Sequence, residues 1–450
     1  MTTYTEKLIG FLNASPVNFL AVRNVCNELL DNGFVQLKAE DAIRNLPEKF
    51  FITKNESAVF AFHLGRRTMA DAGFHIIAAH SDSPTFRIKP NAEMTGEGGM
   101  VRLNTEAYGG SILNTWFDRP LSLAGRVILR SDDALMPETR LLHIKRPLLV
   151  IPNLAIHFNR QVNDGVKLNK QKDMLPILGY VNDKLEGDGL LIRIIADELK
   201  IEKERIIDFD LYLYDTTPAC LVGLNNEFVS SGRLDDLSMV HAGLEAMTAG
   251  DGQADVTRVL AVFDNEETGS GTKQGAGSNF LMSLIQRIVM AQGGCLDDYF
   301  RSVEKAFMVS ADNAHGFHPN YAEKYDPTNH ALLGGGPVIK INAAQKYATD
   351  AMSAAAFQLI CERAGVPCQR FVNRSDIAGG STLGNILTSS IAIRGVDMGN
   401  PVLAMHSVRE LASVSDHENC VKAFIEFYKR FFKCQCYNLA YIDLSSKRNS

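Results

Sequence analysis

An apolar run that ends in carboxylates constrains the fold of this chain more than any other stretch. Residues 259–263 have the length and β-branched content of a buried strand. Three acidic side chains follow within four positions, at Asp264, Glu266 and Glu267. Carboxylates at the edge of a core cost free energy unless positive charge neutralises them. The alternative is a solvated acidic loop, so the choice depends on whether other strands end in the same way.

Apolar runs typical of strands alternate with helical patterns in the first and last parts of the chain. Helical spacing at 4–33, interrupted by Pro16, predicts two helices there. Further predicted helices lie at 278–292, 350–364 and 417–433. Predicted strands lie at 50–52, 57–62, 74–79, 257–263, 307–311, 337–341 and 391–396. This alternation predicts an α/β fold.

The middle of the chain differs from both ends. It contains glycine-rich turns, such as 96–99, and several short β-like runs. A chain of 450 residues also exceeds the size of one typical core. We therefore predict a β-rich domain at 89–230, inserted into an α/β domain formed by 1–88 and 231–450.

Composition and charge exclude several classes of protein. The net charge of −6, without blocks of like charge, argues against nucleic acid or an anionic membrane as a partner. The chain begins without the pattern of a signal peptide, and no stretch approaches the ~20 apolar residues of a membrane helix. The cysteines are scattered, and Cys434-x-Cys436 is a weak metal signal. These features predict a reduced, cytoplasmic protein.

Side chains that commonly bind metals follow or flank several apolar elements that are far apart in sequence. In α/β sheets the functional crevice lies outside the carboxyl ends of the strands, so such side chains can converge there. Two imidazoles with several carboxylates suit a pair of divalent ions of the zinc, manganese or cobalt type. The residues concerned are His80, Asp235, Glu266 with Glu267, Asp312 and His406.

Each of these residues, taken alone, has a simpler explanation. His80 would be a hydrogen-bonded core histidine, and Asp235 would be the N-cap of an amphipathic helix. Asp312 would be a turn residue and His406 a surface histidine. Their joint occurrence at the ends of apolar elements favours the metal site.

Local spacing assigns two further roles. In His80-x-Asp82 both side chains lie on one face of an extended chain, so the carboxylate can orient the imidazole. Glu266 and Glu267 are neighbours, so their side chains diverge. One can bind metal while the other faces water, as metal-assisted hydrolysis requires.

Short motifs along the chain resemble those of the aspartyl aminopeptidase family, whose members are two-metal peptidases. The resemblance runs from about residue 5 to 435 in the same order, and the motifs are specific when taken together. The matching segments are HSDSP at 80–84, YGG at 108–110, TWFDR at 115–119, IPNLAIH at 151–157, RLDD at 233–236, DNEE at 264–267, SADNAH at 310–315, HPNY at 318–321, GPVIK at 336–340 and LAMHSVRE at 403–410.

The resemblance implies a phosphorylase/peptidase-like αβα sandwich with a mixed sheet and an inserted β-rich dimerisation domain. It also implies dimers that assemble into a tetrahedral homo-oligomer, a dodecamer. Two divalent ions per subunit are expected, Zn²⁺ first, with Mn²⁺ or Co²⁺ as alternatives. The expected substrates are peptides with a free N-terminus, with no nucleic acid or membrane partner.

The resemblance also carries residue roles onto matching positions. Asp235 would bridge the two metals, Glu266 would be the general base and Asp82 the orienting carboxylate. His157 would reach the active site of a neighbouring subunit, and Lys340 would recognise acidic side chains. The other implied metal ligands are His80, Glu267, Asp312 and His406, and the other implied substrate contacts are His315 and Tyr347. The segment 343–346 departs from the family pattern, which leaves subsite preference less defined than the chemistry.

The implied reaction is attack on the first peptide bond by a metal-bridging hydroxide, with Glu266 as the base. Asp and Glu are the expected N-terminal residues. Two alternatives remain: a related two-metal amidase or deacylase acting on small N-acyl substrates, and an inactive scaffold of the same fold. Nucleotide binding at 269–273 is disfavoured, because the lysine follows a threonine and not a glycine.

Overall fold

A computed structural model describes residues 3–180, 189–250 and 252–429. Cys434 and Cys436 lie outside these residues, as does the end of the helix predicted at 417–433. The helices are α1 (Tyr4–Ala14), α2 (Asn18–Asp31), α3 (Met69–Ala72), α4 (Leu190–Leu199), α5 (Leu234–Thr248), α6 (Phe280–Ala291), α7 (Leu296–Glu304), α8 (Ala351–Ala364), α9 (Leu383–Ser390) and α10 (Val414–Tyr428).

The strands occupy three sheets. They are β1 (Val35–Leu37), β2 (Lys49–Lys54), β3 (Ala58–His63), β4 (Phe74–His80), β5 (Thr85–Thr95), β6 (Met100–Tyr108), β7 (Leu121–Leu129), β8 (Glu138–His143), β9 (Ile177–Tyr180), β10 (Ile206–Asp215), β11 (Cys220–Val222), β12 (Phe228–Ser231), β13 (Thr257–Phe263), β14 (Phe307–Ala311), β15 (Ala314–His315), β16 (Val338–Lys340), β17 (Gln369–Phe371), β18 (Arg394–Gly399), β19 (Pro401–Leu403) and β20 (Glu410–Ser413).

The central sheet has the order β1-β2-β3-β13-β4-β14-β18-β16-β17 within the described residues. It is mixed, because β4, β13, β14 and β18 run parallel while β3 and β16 are antiparallel to their neighbours β13 and β18. Alternate residues of β13 point to opposite faces. Leu260 and Val262 pack in the core on one side, and Val259 and Phe263 pack in the core on the other.

Helices cover both faces of this sheet. Residues of α1, α2, α5, α8 and α10 belong to the first core, and residues of α6, α7 and α9 belong to the second. The arrangement is an αβα sandwich with a mixed sheet, so the predicted fold class is confirmed. The split of the first helical stretch at Pro16 into α1 and α2 is also confirmed.

A second sheet contains the strands β5 to β10, which lie between β4 and β11 in sequence. Its order is β8-β7-β10-β5-β6-β9, and its neighbouring strands are antiparallel. It has its own apolar core, which includes Phe86, Trp116 and Leu211. A third sheet, of order β11-β12-β20-β19-β15, joins segments from distant parts of the chain.

One predicted strand was placed incorrectly. The pattern at 391–396 predicts a strand, but the strand is β18 at Arg394–Gly399. Ile391 and Ile393 are apolar because they pack in the second core where α9 ends, whereas Asp397 is a fully buried polar residue within the strand. None of the described helices is both long enough and apolar enough to cross a membrane.

The close packing of α5 on the sheet yields a prediction with a matched control. A Cβ atom at Gly243 would lie 2.7 Å from Leu260 Cδ1 and 3.2 Å from Ile77 Cγ2, whereas a Cβ at Gly10 would meet nothing within 4 Å. We expect Gly243→Ala to destabilise the protein by about 1–3 kcal/mol through overpacking. Gly10→Ala, inside α1, should stabilise it by up to about 1 kcal/mol. Thermal unfolding of both variants measures the two effects, and equal shifts would contradict this account of α5.

Candidate metal centre

Three parallel strands bring their carboxyl ends to one edge of the central sheet. The last residue of β4, His80, is the register partner of Phe263, the last residue of β13. The next strand, β14, ends at Ala311, directly before Asp312. The loop after β13 carries Glu266 and Glu267 in a short 3-10 helix. The parallel register therefore places one imidazole and three carboxylates at the same edge.

The third sheet supplies the remaining side chains. Strand β12 ends at Ser231 and leads directly to Asp235, which stands in the first turn of α5 with non-helical backbone angles. His406 lies between β19 and β20, in a left-handed conformation with φ of 68°. Because β12, β20 and β19 are hydrogen-bonded neighbours, the two residues meet at one side of the crevice.

Asp235 lies between the two imidazoles. Its Oδ1 atom is 3.9 Å from His80 Nε2, and its Oδ2 atom is 3.4 Å from His406 Nε2. Glu267 Oε1 is 3.3 Å from the same His406 nitrogen. Among the described residues, three overlapping groups have ligand atoms within 4.8 Å of one another: His80, Asp235, Asp236 and Asp312; His80, Glu266 and Glu267; and Asp235, Glu267 and His406.

Both imidazoles are held through Nδ1 and present Nε2 to the crevice. His80 Nδ1 lies 3.0 Å from the carbonyl oxygen of Asp82, and His406 Nδ1 lies 3.2 Å from the carbonyl oxygen of Gly110. A carbonyl oxygen only accepts hydrogen bonds, so each Nδ1 must carry the proton. Each Nε2 then faces the carboxylates, and it offers a lone pair to a metal ion once the imidazole is neutral, which is the arrangement that a metal ligand needs.

The donor set fits divalent metal ions. Asp235 Oδ1 and Glu267 Oε1 are buried and form no hydrogen bond. Buried carboxylate oxygens without partners are costly unless a cation neutralises them. Imidazole nitrogens together with carboxylate oxygens are ligands that zinc commonly binds. The side chains of the cluster are therefore suited to hold zinc.

The two adjacent glutamates of the cluster have raised pKa values. Burial, together with the nearby carboxylate of Asp312, raises the pKa of Glu266 to about 8. Burial also raises the pKa of Glu267 to about 6, although His406 opposes the shift. The protein alone thus leaves this crevice with an excess of negative charge.

The pKa values of the two imidazoles are also raised. Burial alone would lower the pKa of His406, but its contacts with Asp235 and Glu267 raise that pKa to about 11. Burial likewise opposes ionisation of His80, yet Asp236 and other carboxylates raise its pKa well above the ordinary value. The raised pKa values of the two imidazoles indicate that the crevice favours positive charge, which bound metal ions would supply.

Asp82 lies beside His80 and is almost fully buried. Its Oδ1 atom is 3.4 Å from His80 Nδ1. The backbone N–H groups of Glu266 and Glu267 donate to its carboxylate at 3.1 and 3.2 Å. The Tyr108 hydroxyl donates to Oδ2 at 2.7 Å. This carboxylate therefore connects β4 to the loop that follows β13.

A cavity of about 320 Å³ opens beside the cluster, and the three predicted substrate contacts line it. Lys340 is buried there, with Nζ 3.3 Å from Asp312 Oδ1 and 3.2 Å from the carbonyl oxygen of Asn313. The same ammonium lies 5.4 Å from the ring centroid of Tyr347, within cation–π range. His315 and His406 also line this cavity.

His157 lies apart from the cluster. It is exposed, in the irregular segment between β8 and β9, and it belongs to none of the ligand groups found within the described part of the chain. Its predicted role concerns a neighbouring subunit, so its position in one chain leaves that role a prediction.

Two buried acids support the cluster without having been predicted as site residues. The carboxylate of Asp236 accepts the backbone N–H of His80 at 3.1 Å. Glu410 accepts the backbone N–H of Asp235 at 3.0 Å and that of His406 at 2.8 Å. Burial raises the pKa of Glu410 to about 8. Their positions next to Asp235 and near His406 in sequence were the available signal.

Comparison with known proteins agrees with this geometry. The pattern of the family described as aminopeptidase I zinc metalloprotease (M18) matches residues 11–428. A Clostridium acetobutylicum protein described as probable M18 family aminopeptidase 2 is 54% identical over 426 residues, covering 94% of this chain and 98% of that protein. A Pseudomonas aeruginosa protein of the same description is 42% identical over 429 residues, covering 94% and 97%.

Solved structures extend the similarity to three dimensions. A chain in the cryo-EM structure of the Ape4 and Nbr1 complex matches with a TM-score of 0.91 at 36% identity, over 95% of this chain and 85% of that one. The S. cerevisiae mApe1 dodecamer structure matches with a TM-score of 0.83 at 25% identity, over 94% and 96%. The strand-end cluster, the family match and these relatives lead to one conclusion: the chain belongs to the M18 family of zinc metalloproteases and is a metallo-aminopeptidase.

Proposed function

We propose that the chain is a two-metal aminopeptidase that releases acidic N-terminal residues from peptides. The proposed ligands are His80, Asp235, Glu267, Asp312 and His406. The position of Asp235 carries the proposal, because its two carboxylate oxygens face different imidazoles, as a bridging ligand requires. Two divalent ions held there, Zn²⁺ before Mn²⁺ or Co²⁺, would supply Lewis acidity that polarises a carbonyl and lowers the pKa of water.

Glu266 is the proposed general base. It lines the cavity beside the proposed ligands, and a carboxylate in that position can exchange a proton with water. In the proposed reaction it takes a proton from the attacking water and returns it to the leaving amine. Asp82, whose carboxylate lies 3.4 Å from His80 Nδ1, is the proposed orienting carboxylate.

Lys340 is the proposed determinant of acidic preference. It is a buried cation in the wall of the cavity that contains the cluster. Once metal ions offset the charge of Asp312, the ammonium can attract a carboxylate of the substrate. The ring of Tyr347 faces the lysine ammonium, and His315 offers a second polar contact. A deacylase of small N-acyl substrates would not need this cation.

We further propose that the segment 89–230 mediates dimers within a larger homo-oligomer. A separate sheet and core in this segment support the proposal. Next to His157, the apolar side chains of Leu154, Ile156 and Phe158 are exposed, as expected of a surface that a partner covers. The dodecamer described for the S. cerevisiae relative is in keeping with such an assembly. His157 would then act in the active site of a neighbouring subunit.

Replacement of the proposed base is the first test. We expect Glu266→Gln to retain the metal content of the unaltered enzyme and to lower kcat by about 10²–10⁴-fold, because proton transfer is lost while the ligands stay. Metal analysis and release of aspartate from an N-terminal aspartyl peptide measure the two quantities. Glu40→Gln, an exposed glutamate on the surface, is the control. Retained turnover in Glu266→Gln would place the base elsewhere.

The second test concerns specificity. Lys340→Met keeps the length of the side chain and removes its charge, so we expect the ratio of kcat/KM for N-terminal Asp over N-terminal Leu substrates to fall by at least about 10-fold. The ratio is insensitive to partial loss of active enzyme. Lys346→Met, on the exposed turn nearby, should leave the ratio unchanged. An unchanged ratio in Lys340→Met would refute the role of Lys340, and preference for N-acyl substrates would favour the deacylase.

The third test concerns the partner subunit. We propose that His157 donates to the oxyanion that forms on the scissile carbonyl, so we expect His157→Phe to lower kcat by about 10²–10³-fold with normal metal content. Co-expression of His157→Phe with Glu266→Gln chains should restore part of the activity, since some sites then combine an intact Glu266 with an intact His157. Co-expression of two His157→Phe chains is the control. Absence of restoration in mixed oligomers would exclude action between subunits.

A further inference from the structure

We propose that Tyr108 is a positioning residue of the metal centre, which holds Asp82 through its hydroxyl from the end of the six-stranded sheet. The inference rests on the proposed role of Asp82 as the carboxylate that orients His80. Tyr108 is the last residue of β6, so it belongs to the second sheet and not to the sheet that carries the ligands. It therefore makes the placement of a proposed ligand depend on the second sheet.

The hydroxyl of Tyr108 has two partners in fixed roles. It donates to Asp82 Oδ2 at 2.7 Å and accepts from Asn265 Nδ2 at 2.8 Å. The amide of Asn265 is itself fixed, because its oxygen accepts from Thr272 and Gln274. Since the amide nitrogen can only donate, the phenolic proton must point to the carboxylate. The hydrogen bond to Asp82 thus has one allowed direction.

The ring of Tyr108 is held independently of its hydroxyl. It forms an edge-to-face contact with Tyr212, with ring centroids 5.7 Å apart and an interplanar angle of 78°. Burial and the charge of Asp82 raise the pKa of the phenol, so it stays neutral and keeps its proton. The neutral phenol therefore remains a hydrogen-bond donor to the carboxylate.

The residues that follow Tyr108 also contact the centre. The carbonyl oxygen of Gly110 holds His406 Nδ1, and the backbone N–H of Ile112 donates to the carbonyl oxygen of His406 at 3.0 Å. Gly109 has a φ of 73°, and a Cβ atom there would lie 3.2 Å from Glu267 Cβ. The chain leaving the second sheet is therefore packed directly against the cluster, which gives the Tyr108 hydroxyl a fixed position.

The test compares two tyrosines of the same ring pair in the full-length, oligomeric enzyme. Tyr108→Phe removes the hydroxyl that holds Asp82, whereas Tyr212→Phe removes a hydroxyl from the partner ring, which contacts Tyr108 and not Asp82. Zn²⁺ affinity is measured by competition with a chromophoric chelator at fixed pH. Turnover of an N-terminal aspartyl substrate and thermal unfolding are measured on the same samples.

We expect Tyr108→Phe to weaken Zn²⁺ affinity by about 10-fold, at the lower end of the effects seen when partners of ligands are removed. We expect kcat to fall with KM little changed, because binding groups of the cavity remain. Tyr212→Phe should leave affinity and kcat unchanged. Equal Zn²⁺ affinity and kcat in the two variants would overturn the proposal.

A double variant separates positioning from a general packing defect. If Tyr108 acts through Asp82, Tyr108→Phe added to Asp82→Asn should change Zn²⁺ affinity far less than it does in the unaltered enzyme. An equal loss in both backgrounds would assign the effect to packing and overturn the proposal.

Asp82→Asn alone separates the proposed role of Asp82 from that of Tyr108. Unchanged affinity and turnover in Asp82→Asn would refute the proposed role of Asp82, and the positioning role of Tyr108 with it. A loss in Asp82→Asn without a loss in Tyr108→Phe would refute the inference about Tyr108 alone.

Discussion

The concentration of buried carboxylates at one sheet edge is the constraint on which the rest of this structure depends. Asp235 and Asp312 belong to one group of ligand atoms within 4.8 Å of one another, Asp235 and Glu267 belong to a second, and the two adjacent glutamates belong to a third. Water offers little screening there. The surrounding chain offsets part of this cost with backbone N–H donors, two of which serve Asp82 and two of which serve Glu410. The remaining negative charge favours divalent cations, so electrostatics and metal chemistry point to the same occupant.

The central sheet and the third sheet supply different ligands of this site. Parallel strands of the central sheet supply His80, the glutamate pair and Asp312 at a common edge. The small third sheet supplies Asp235 and His406 from segments far apart in the chain. Every proposed ligand lies at the end of a strand or within a few residues of one, which favours precise geometry at the metals. Residues on the longest irregular segment, including His157, stay outside this arrangement.

Much of the fold and of the candidate site could be predicted because the ligand-type residues follow apolar strands. The loop after β13 is an example, because packing does not explain an acidic pair at the end of a buried strand. Residues that act through hydrogen bonds were harder to find. Asp236 accepts the backbone N–H of His80 and Glu410 accepts that of Asp235, and both contacts join distant parts of the chain, so only the positions of the two acids beside predicted ligands indicated them. The misplaced strand at 391–396 has a similar cause, because apolar residues mark a core and not the type of element.

The pairing of β4 with β13 has a consequence for the order of folding. The two strands match residue for residue, yet the whole second sheet lies between them in sequence. During synthesis β4 emerges long before its central partner, and such non-local pairing is slow because a large loop must close first. The six-stranded sheet, whose strands are nearer to one another in sequence, can form earlier. The ligand cluster, which requires both ends of that loop, is therefore completed among the last parts of the molecule.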